Sequence, residues 1–94
     1  LNIIRGIINR IFYTVATTQN ITKASEILNI SQPAVTKHIK NLEDSLGVTL
    51  FIRTRKGVVL TPIGQKIFLE IKNALTILDN VENESLDLAD FDLV

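Results

Sequence analysis

The stretch Ala24-Ser25-Glu26-Ile27-Leu28-Asn29-Ile30-Ser31-Gln32-Pro33-Ala34-Val35-Thr36-Lys37-His38-Ile39-Lys40-Asn41-Leu42-Glu43 decides the fold. Ala24, Ile27 and Leu28 recur at helical spacing, and so do Val35, Ile39 and Leu42, with Asn29-Ile30-Ser31 between the two sets. Thr22, just upstream, is a good N-cap for the first of these helices, and Asn29 takes the left-handed conformation that stops it. Ser31 caps the second helix, Pro33 is tolerated in a first turn that needs no intrahelical donor, and Gly47 closes it. A short helix, a tight turn and a longer helix form the helix-turn-helix spacing, which plain helical bundles also use.

Working outward, Ile7, Ile8, Ile11, Phe12, Val15 and Ala16 predict an earlier scaffold helix that ends in the polar run Thr17-Thr18-Gln19-Asn20. Downstream, Leu50-Phe51-Ile52-Arg53 and Val58-Val59-Leu60 are rich in strand formers and flank Thr54-Arg55-Lys56-Gly57. They predict a two-stranded hairpin with Gly57 supplying a positive φ and Arg55 and Lys56 at the tip, a basic wing. Thr61-Pro62 is an N-cap and first-position signature. The fourth helix it opens runs to about Asn83 and carries Ile63, Ile67, Phe68, Ile71, Ala74, Leu75, Leu78 and Val81. The expected fold is therefore mainly α, a winged helix-turn-helix with a three-helix core, a two-stranded β wing and a long C-terminal linker helix. Residues 1–60 make the winged body, 61–83 the linker and dimerisation helix, and 84–94 an acidic tail to which no role is assigned.

Composition narrows the functions. The 94 residues fit one small domain, and 46% hydrophobic content is enough to form a core. There is no cysteine and only one histidine, which excludes disulfides and thiolate sites and argues against a histidine-built metal site or catalytic triad. The exposed neighbours Glu43 and Asp44 lack the burial that would separate their pKa values for acid–base work. No glycine-rich phosphate loop, signal-like segment or bilayer-length apolar run occurs, so the cytoplasm is the expected compartment and no membrane partner is expected.

A net charge of zero conceals a division. Residues 1–72 hold all ten Lys and Arg against Glu26, Glu43, Asp44 and Glu70, which leaves +6. Residues 73–94 hold six acids and no base, which leaves −6. A basic body followed by an acidic end suits a polyanionic partner, although clustered charge also occurs on ordinary solvated surfaces.

Projected at about 100° per residue, the third helix places Val35, Ile39, Leu42 and Leu46 on one arc, with Pro33, Thr36, Lys37 and Lys40 opposite. His38 falls on the flank as a half-buried packing residue. Acids enter only at Glu43 and Asp44, so the N-terminal half is the end suited to phosphate and base edges. Gln32 can pair with adenine, Lys37 can donate to guanine or phosphate, and the Thr36 methyl can touch a thymine methyl. Thr22, Ser31 and Lys40 suit the phosphate backbone, and Arg53, Arg55 and Lys56 suit the adjoining minor groove, above all an A/T-rich one.

The same stretch, followed by Leu46-Gly47-Val48-Thr49-Leu50-Phe51-Ile52-Arg53-Thr54 and by Leu60-Thr61-Pro62-Ile63-Gly64, closely resembles the N-terminal domain of LysR-type transcriptional regulators over residues 4–82. The resemblance implies a regulator that binds operator DNA as a dimer, often within a tetramer, in response to a small coinducer. Gln32, Pro33, Thr36 and Lys37 match the family's groove-facing positions, and Arg53 with Lys56 its backbone and wing contacts. Thr36 and Lys37 stand where the family commonly has Ser and Arg. A lysine weakens the case for a bidentate guanine contact there. Arg55 replaces a residue often small in the family. No cofactor is expected in this chain, because the coinducer belongs to an effector domain that is absent from it. With no methionine at its start, the chain reads as a piece of a longer polypeptide.

The fourth helix outruns the body it covers. Ile67, Ile71, Ala74, Leu78 and Val81 alternate steps of four and three, and with Leu75 they form the expected seam of a homodimer. Two recognition helices about a two-fold axis would read an inverted repeat in double-stranded DNA. The competing reading is a winged-helix protein-interaction module that uses the long helix, with its basic face incidental. An enzyme is not expected.

Overall fold

The computed structural model describes residues 3–92, with side chains described for Gly6 and residues 9–81. Its order is α1 (Ile3–Thr18), α2 (Ile21–Leu28), α3 (Gln32–Leu46), β1 (Phe51–Thr54), β2 (Gly57–Leu60) and α4 (Pro62–Asp92). This is the mainly α, winged helix-turn-helix architecture expected from the spacing. The Ile7 and Ile8 side chains of the first stripe lie outside the described residues.

The helix ends are set by local chemistry. α1 stops where Gln19 turns left-handed at φ 56, its N–H bonding back to the Val15 carbonyl at 2.8 Å. α2 is capped by Asn20, whose Oδ1 accepts the Lys23 N–H at 2.9 Å. The expected cap, Thr22, instead stands inside the first turn, because Asn20 already has the extended backbone an N-cap needs. Asn29 ends α2 at φ 57, its N–H on Glu26 O and the Ile30 N–H on Ser25 O, a Schellman arrangement that packs Ile30 on the core. Ser31 caps α3 through the Ala34 N–H at 3.2 Å, and Gly47 closes it at φ 70.

The core joins Ile11, Phe12 and Val15 of α1, Ala24 of α2, Val35 and Ile39 of α3, Leu50, and Val58 of β2. Phe12 is fully buried, with ring centroids 5.4 Å from Phe51 and 6.4 Å from Phe68, so one ring ties α1 to the wing and to α4. Two residues expected inside are exposed. Ile27 is 63% exposed, because Ile21, Ala24, Ser25 and Leu28 fill the covered arc of α2 and Ile27 lies roughly 110° from its centre. Leu46 is 47% exposed because it overhangs the body one turn beyond Leu42, although it lies on the predicted arc. His38 is half-buried, as its position on the flank implies.

The hairpin is antiparallel with Phe51 opposite Leu60 and Thr54 opposite Gly57, so only Arg55 and Lys56 form the turn. Thr54 and Gly57, expected in the turn, are paired, while Leu50 is a fully buried residue ahead of the strand. Thr61 then fastens α4 to the body: its N–H bonds to Leu50 O at 2.9 Å, its hydroxyl donates to Thr49 O at 2.7 Å and accepts the Gly64 N–H at 2.9 Å. Gly64 is required there, since any Cβ would collide with the Leu50 carbonyl.

α4 continues to Asp92 instead of ending near Asn83. Residues 84–92 contain neither glycine nor proline, so nothing local stops the helix. Its 31 residues would extend about 47 Å, within a molecule whose longest dimension is 57 Å.

Candidate nucleic-acid interface

A concave groove of about 860 Å³ opens between the N-terminal half of α3 and the wing. Gln32, Pro33, Thr36, Lys37 and Lys40 form one wall. Pro33, Thr36, Lys37 and Lys40 share it because they lie on the side of α3 turned away from the buried Val35 and Ile39, and Gln32 joins them from the first turn. Arg53, Arg55 and Lys56 form the other wall, carried there because β1 and β2 pair up to the two-residue turn. Ile21 and Val58 contribute to the lining, and Asn20 and Thr22 bring the start of α2 to the same space.

Nine of the ten predicted DNA-facing residues therefore line one groove. Ser31 is the exception, its hydroxyl oxygen engaged in capping α3. The groove also draws on Asn20 and Thr54, which sequence reasoning did not single out. Asn20 was within reach, because a cap residue at a helix start places itself beside whatever that start faces.

The electrostatics have one sign. Among the described residues lining the groove are five cations, Lys37, Lys40, Arg53, Arg55 and Lys56, and no carboxylate. All five are exposed, and among the described residues none is in a salt bridge. The ion pair described, Arg10 with Asp79 at 3.6 Å, joins α1 to α4 and involves none of the groove's cations. The N-terminal turns of both α2 and α3 line the groove as well, and helix N-termini favour anions through their free N–H groups and dipoles. Concave, cationic and bounded by a helix and a hairpin, the site offers charge for phosphates and an amide, hydroxyl and ammonium for base edges.

The six residues expected to form a dimer seam divide. Ile67 and Ile71 pack on the chain's own core and Leu75 is 9% exposed, so these three are occupied within the molecule. Ala74, Leu78 and Val81 are exposed, and Ile77, which the sequence pattern did not select, is 60% exposed beside them.

Fold and groove define a winged helix-turn-helix protein built to hold duplex DNA. Comparison with known proteins places it further. The family described as "Bacterial regulatory helix-turn-helix protein, lysR family" matches residues 9–65. The chain is 42% identical over 77 residues to the Hca operon transcriptional activator HcaR of Escherichia coli, covering 82% of this chain and 25% of that protein. It is 38% identical over 90 residues to the RuBisCO operon transcriptional regulator of Allochromatium vinosum, covering 85% and 30%. Its fold superposes on the crystal structure of a BenM_DBD/catB site 1 DNA complex with a TM-score of 0.83, at 32% identity and covering 87% of this chain and 92% of that one. A CbnR_DBD-DNA complex matches at 0.79 and 29% identity, covering 87% and 94%. The chain belongs to the LysR family of bacterial regulatory helix-turn-helix proteins, and the matched part supports sequence-specific DNA binding for transcription regulation. The chain spans about a quarter to three tenths of the length of the curated relatives it matches. Among the described residues no helix is long and apolar enough to cross a membrane.

Proposed function

We propose that the N-terminal half of α3 enters the major groove of an operator while the wing grips the neighbouring backbone and minor groove. The observation that carries this is the groove itself, five cations and no acid between a helix start and a hairpin tip. A major groove about 12 Å wide admits one α-helix. Gln32, Thr36 and Lys37 read base edges, with Pro33 offering apolar contact beside them. Thr22, Ser31 and Lys40 hold phosphates, and Arg53, Arg55 and Lys56 bring charge to a narrow A/T-rich minor groove.

Residues 1–60 act as the reading body and 61–83 as the linker through which two copies pair, with a tetramer in the full-length regulator. The acidic segment 84–94 is assigned no role, and its side chains lie outside the described residues. The operator is an A/T-rich inverted repeat, because a two-fold pair of recognition helices presents the same residues to two half-sites. A small coinducer acts through the effector domain of the longer protein, in the cytoplasm, and no cofactor enters the DNA contact.

Selection of this chain against randomised duplexes at near-physiological salt tests the reading. Enrichment of an A/T-rich inverted repeat is the expected outcome. Retention with no enriched sequence would leave only backbone binding and defeat the base-contact assignments.

A further inference from the structure

Glu43 sits in the last turns of α3, where a carboxylate repels phosphate, yet it is half-buried and turned toward the hairpin. Its Oε2 accepts the Leu50 N–H at 2.6 Å and the Phe51 N–H at 3.4 Å. Phe51 is the first residue of β1, and β1 runs from there through Arg53 to the turn that carries Arg55 and Lys56. One carboxylate thus joins the foot of the wing to the helix that carries Gln32, Thr36, Lys37 and Lys40. Hydrogen bonds to an ionised acceptor are about twice as strong as neutral ones, and here they satisfy two backbone donors where the chain leaves Gly47 and enters the strand.

We propose that Glu43 is a positioning residue for DNA binding, holding the wing at the angle to α3 that lets wing cations and recognition helix engage one duplex together. The inference rests on the wing contacting DNA. It assigns Glu43 no contact of its own: the residue borders a small cavity that it shares with Thr36, Lys40 and Arg53, but its Oε2 is engaged by two backbone N–H groups. Because β1 is anchored at its foot, a small loss of angle there is magnified at the tip. The result is wing cations displaced from their phosphates while the helix stays in place.

The test separates reach from charge. Glu43→Asp keeps the charge and withdraws the carboxylate by one methylene. Glu43→Gln discards the charge and keeps an acceptor at the right distance. Binding to a selected operator duplex at fixed salt is measured for each, with and without Arg55→Ala, alongside amide hydrogen exchange at Leu50 and Phe51 and a thermal melt. With Glu43 unaltered or replaced by Gln, Arg55→Ala is expected to weaken binding about fivefold, whereas in the Asp background it changes little, a coupling of the size found between residues of one network. The Leu50 and Phe51 amides stay protected with Gln and exchange faster with Asp.

An Asp variant that binds as tightly as the unaltered chain and shows the full Arg55→Ala loss overturns the role of Glu43 while leaving the wing contact standing. Absence of any Arg55→Ala effect in the unaltered chain removes the wing contact and this inference with it. Should the Asp variant not fold, the Gln variant decides: unchanged binding with protected amides supports the role, and loss of binding overturns it.

Discussion

The Gln19 carbonyl accepts the Val58 N–H at 3.1 Å, and this bond fastens the second strand of the wing to the turn between α1 and α2. The carbonyl is aimed there because Gln19 holds φ 56, a conformation most side chains avoid. Gly57, at φ 144, passes so close that a Cβ would strike the same carbonyl. The wing is therefore tied at both strands, β1 through Glu43 and β2 through Gln19.

Two alanine substitutions at positive-φ glycines will differ for that reason. Gly47→Ala meets open space and bears only the left-handed backbone, a loss of about 1 kcal/mol. Gly57→Ala adds a collision with a backbone carbonyl that cannot rotate away, for a total of about 3 kcal/mol. Urea denaturation at unchanged slope measures both. Equal midpoints would mean the wing yields at Gln19 instead of resisting.

Phe12→Ala will be the most damaging of the core truncations. The ring is fully buried and touches both Phe51 and Phe68, so its loss opens a cavity shared by α1, β1 and α4. Such truncations cost about 3–5 kcal/mol, a large part of what a domain this size possesses. A circular-dichroism melt is expected to show a chain largely unfolded at or near room temperature. A cooperative melt displaced by only a few degrees would contradict the packing described.

Most of this architecture was legible because its signals are local. Ser31, Asn29 and Gly47 act within four residues of themselves, and each ends or starts a helix where its chemistry says it must. Asn20 and Thr22 are both cap formers two positions apart, and only the backbone entering from Gln19 decides between them. Ile27 and Leu46 were misplaced because periodicity gives the direction of an apolar arc but not its width or how far the body beneath extends. Glu43, expected to be an exposed acid, is half-buried instead, since its partners lie seven and eight residues on, across a turn that no helical projection spans. The groove residues were found because residues turned away from a buried stripe, with charge of one sign, remain visible in the sequence itself.

Gln32→Ala and Lys40→Ala will separate reading from gripping. Both side chains line the groove, but an amide offers a paired donor and acceptor whereas an ammonium offers charge. Lys40→Ala is expected to weaken operator and random duplex alike and to reduce the slope of log affinity against log salt by about one unit. Gln32→Ala is expected to leave that slope unchanged and to narrow the gap between operator and random duplex by about 1–3 kcal/mol. Titrations at several salt concentrations on both duplexes give all four quantities, and a slope change with Gln32→Ala would reassign it to the backbone.

The far half of α4 makes the remaining prediction. Leu75 is buried against its own domain, whereas Ile77, Leu78 and Val81 are 60%, 36% and 49% exposed. With Ala74 they fall at offsets of three, four and seven, a stripe of helix–helix pairing geometry with no cover among the described residues. Leu78→Asp is expected to turn a dimer into a monomer in sedimentation at tens of micromolar protein, with the thermal melt of the winged body unchanged. Leu75→Ala, in contrast, is expected to lower that melt, since the truncation empties a packed site of the monomer, by about 2–5 kcal/mol. The Leu78→Asp monomer will still bind a single half-site weakly while losing its advantage on the inverted repeat, because linking two sites raises the effective concentration of the second. If Leu78→Asp sediments as the unaltered chain does, the pairing surface lies elsewhere on the helix.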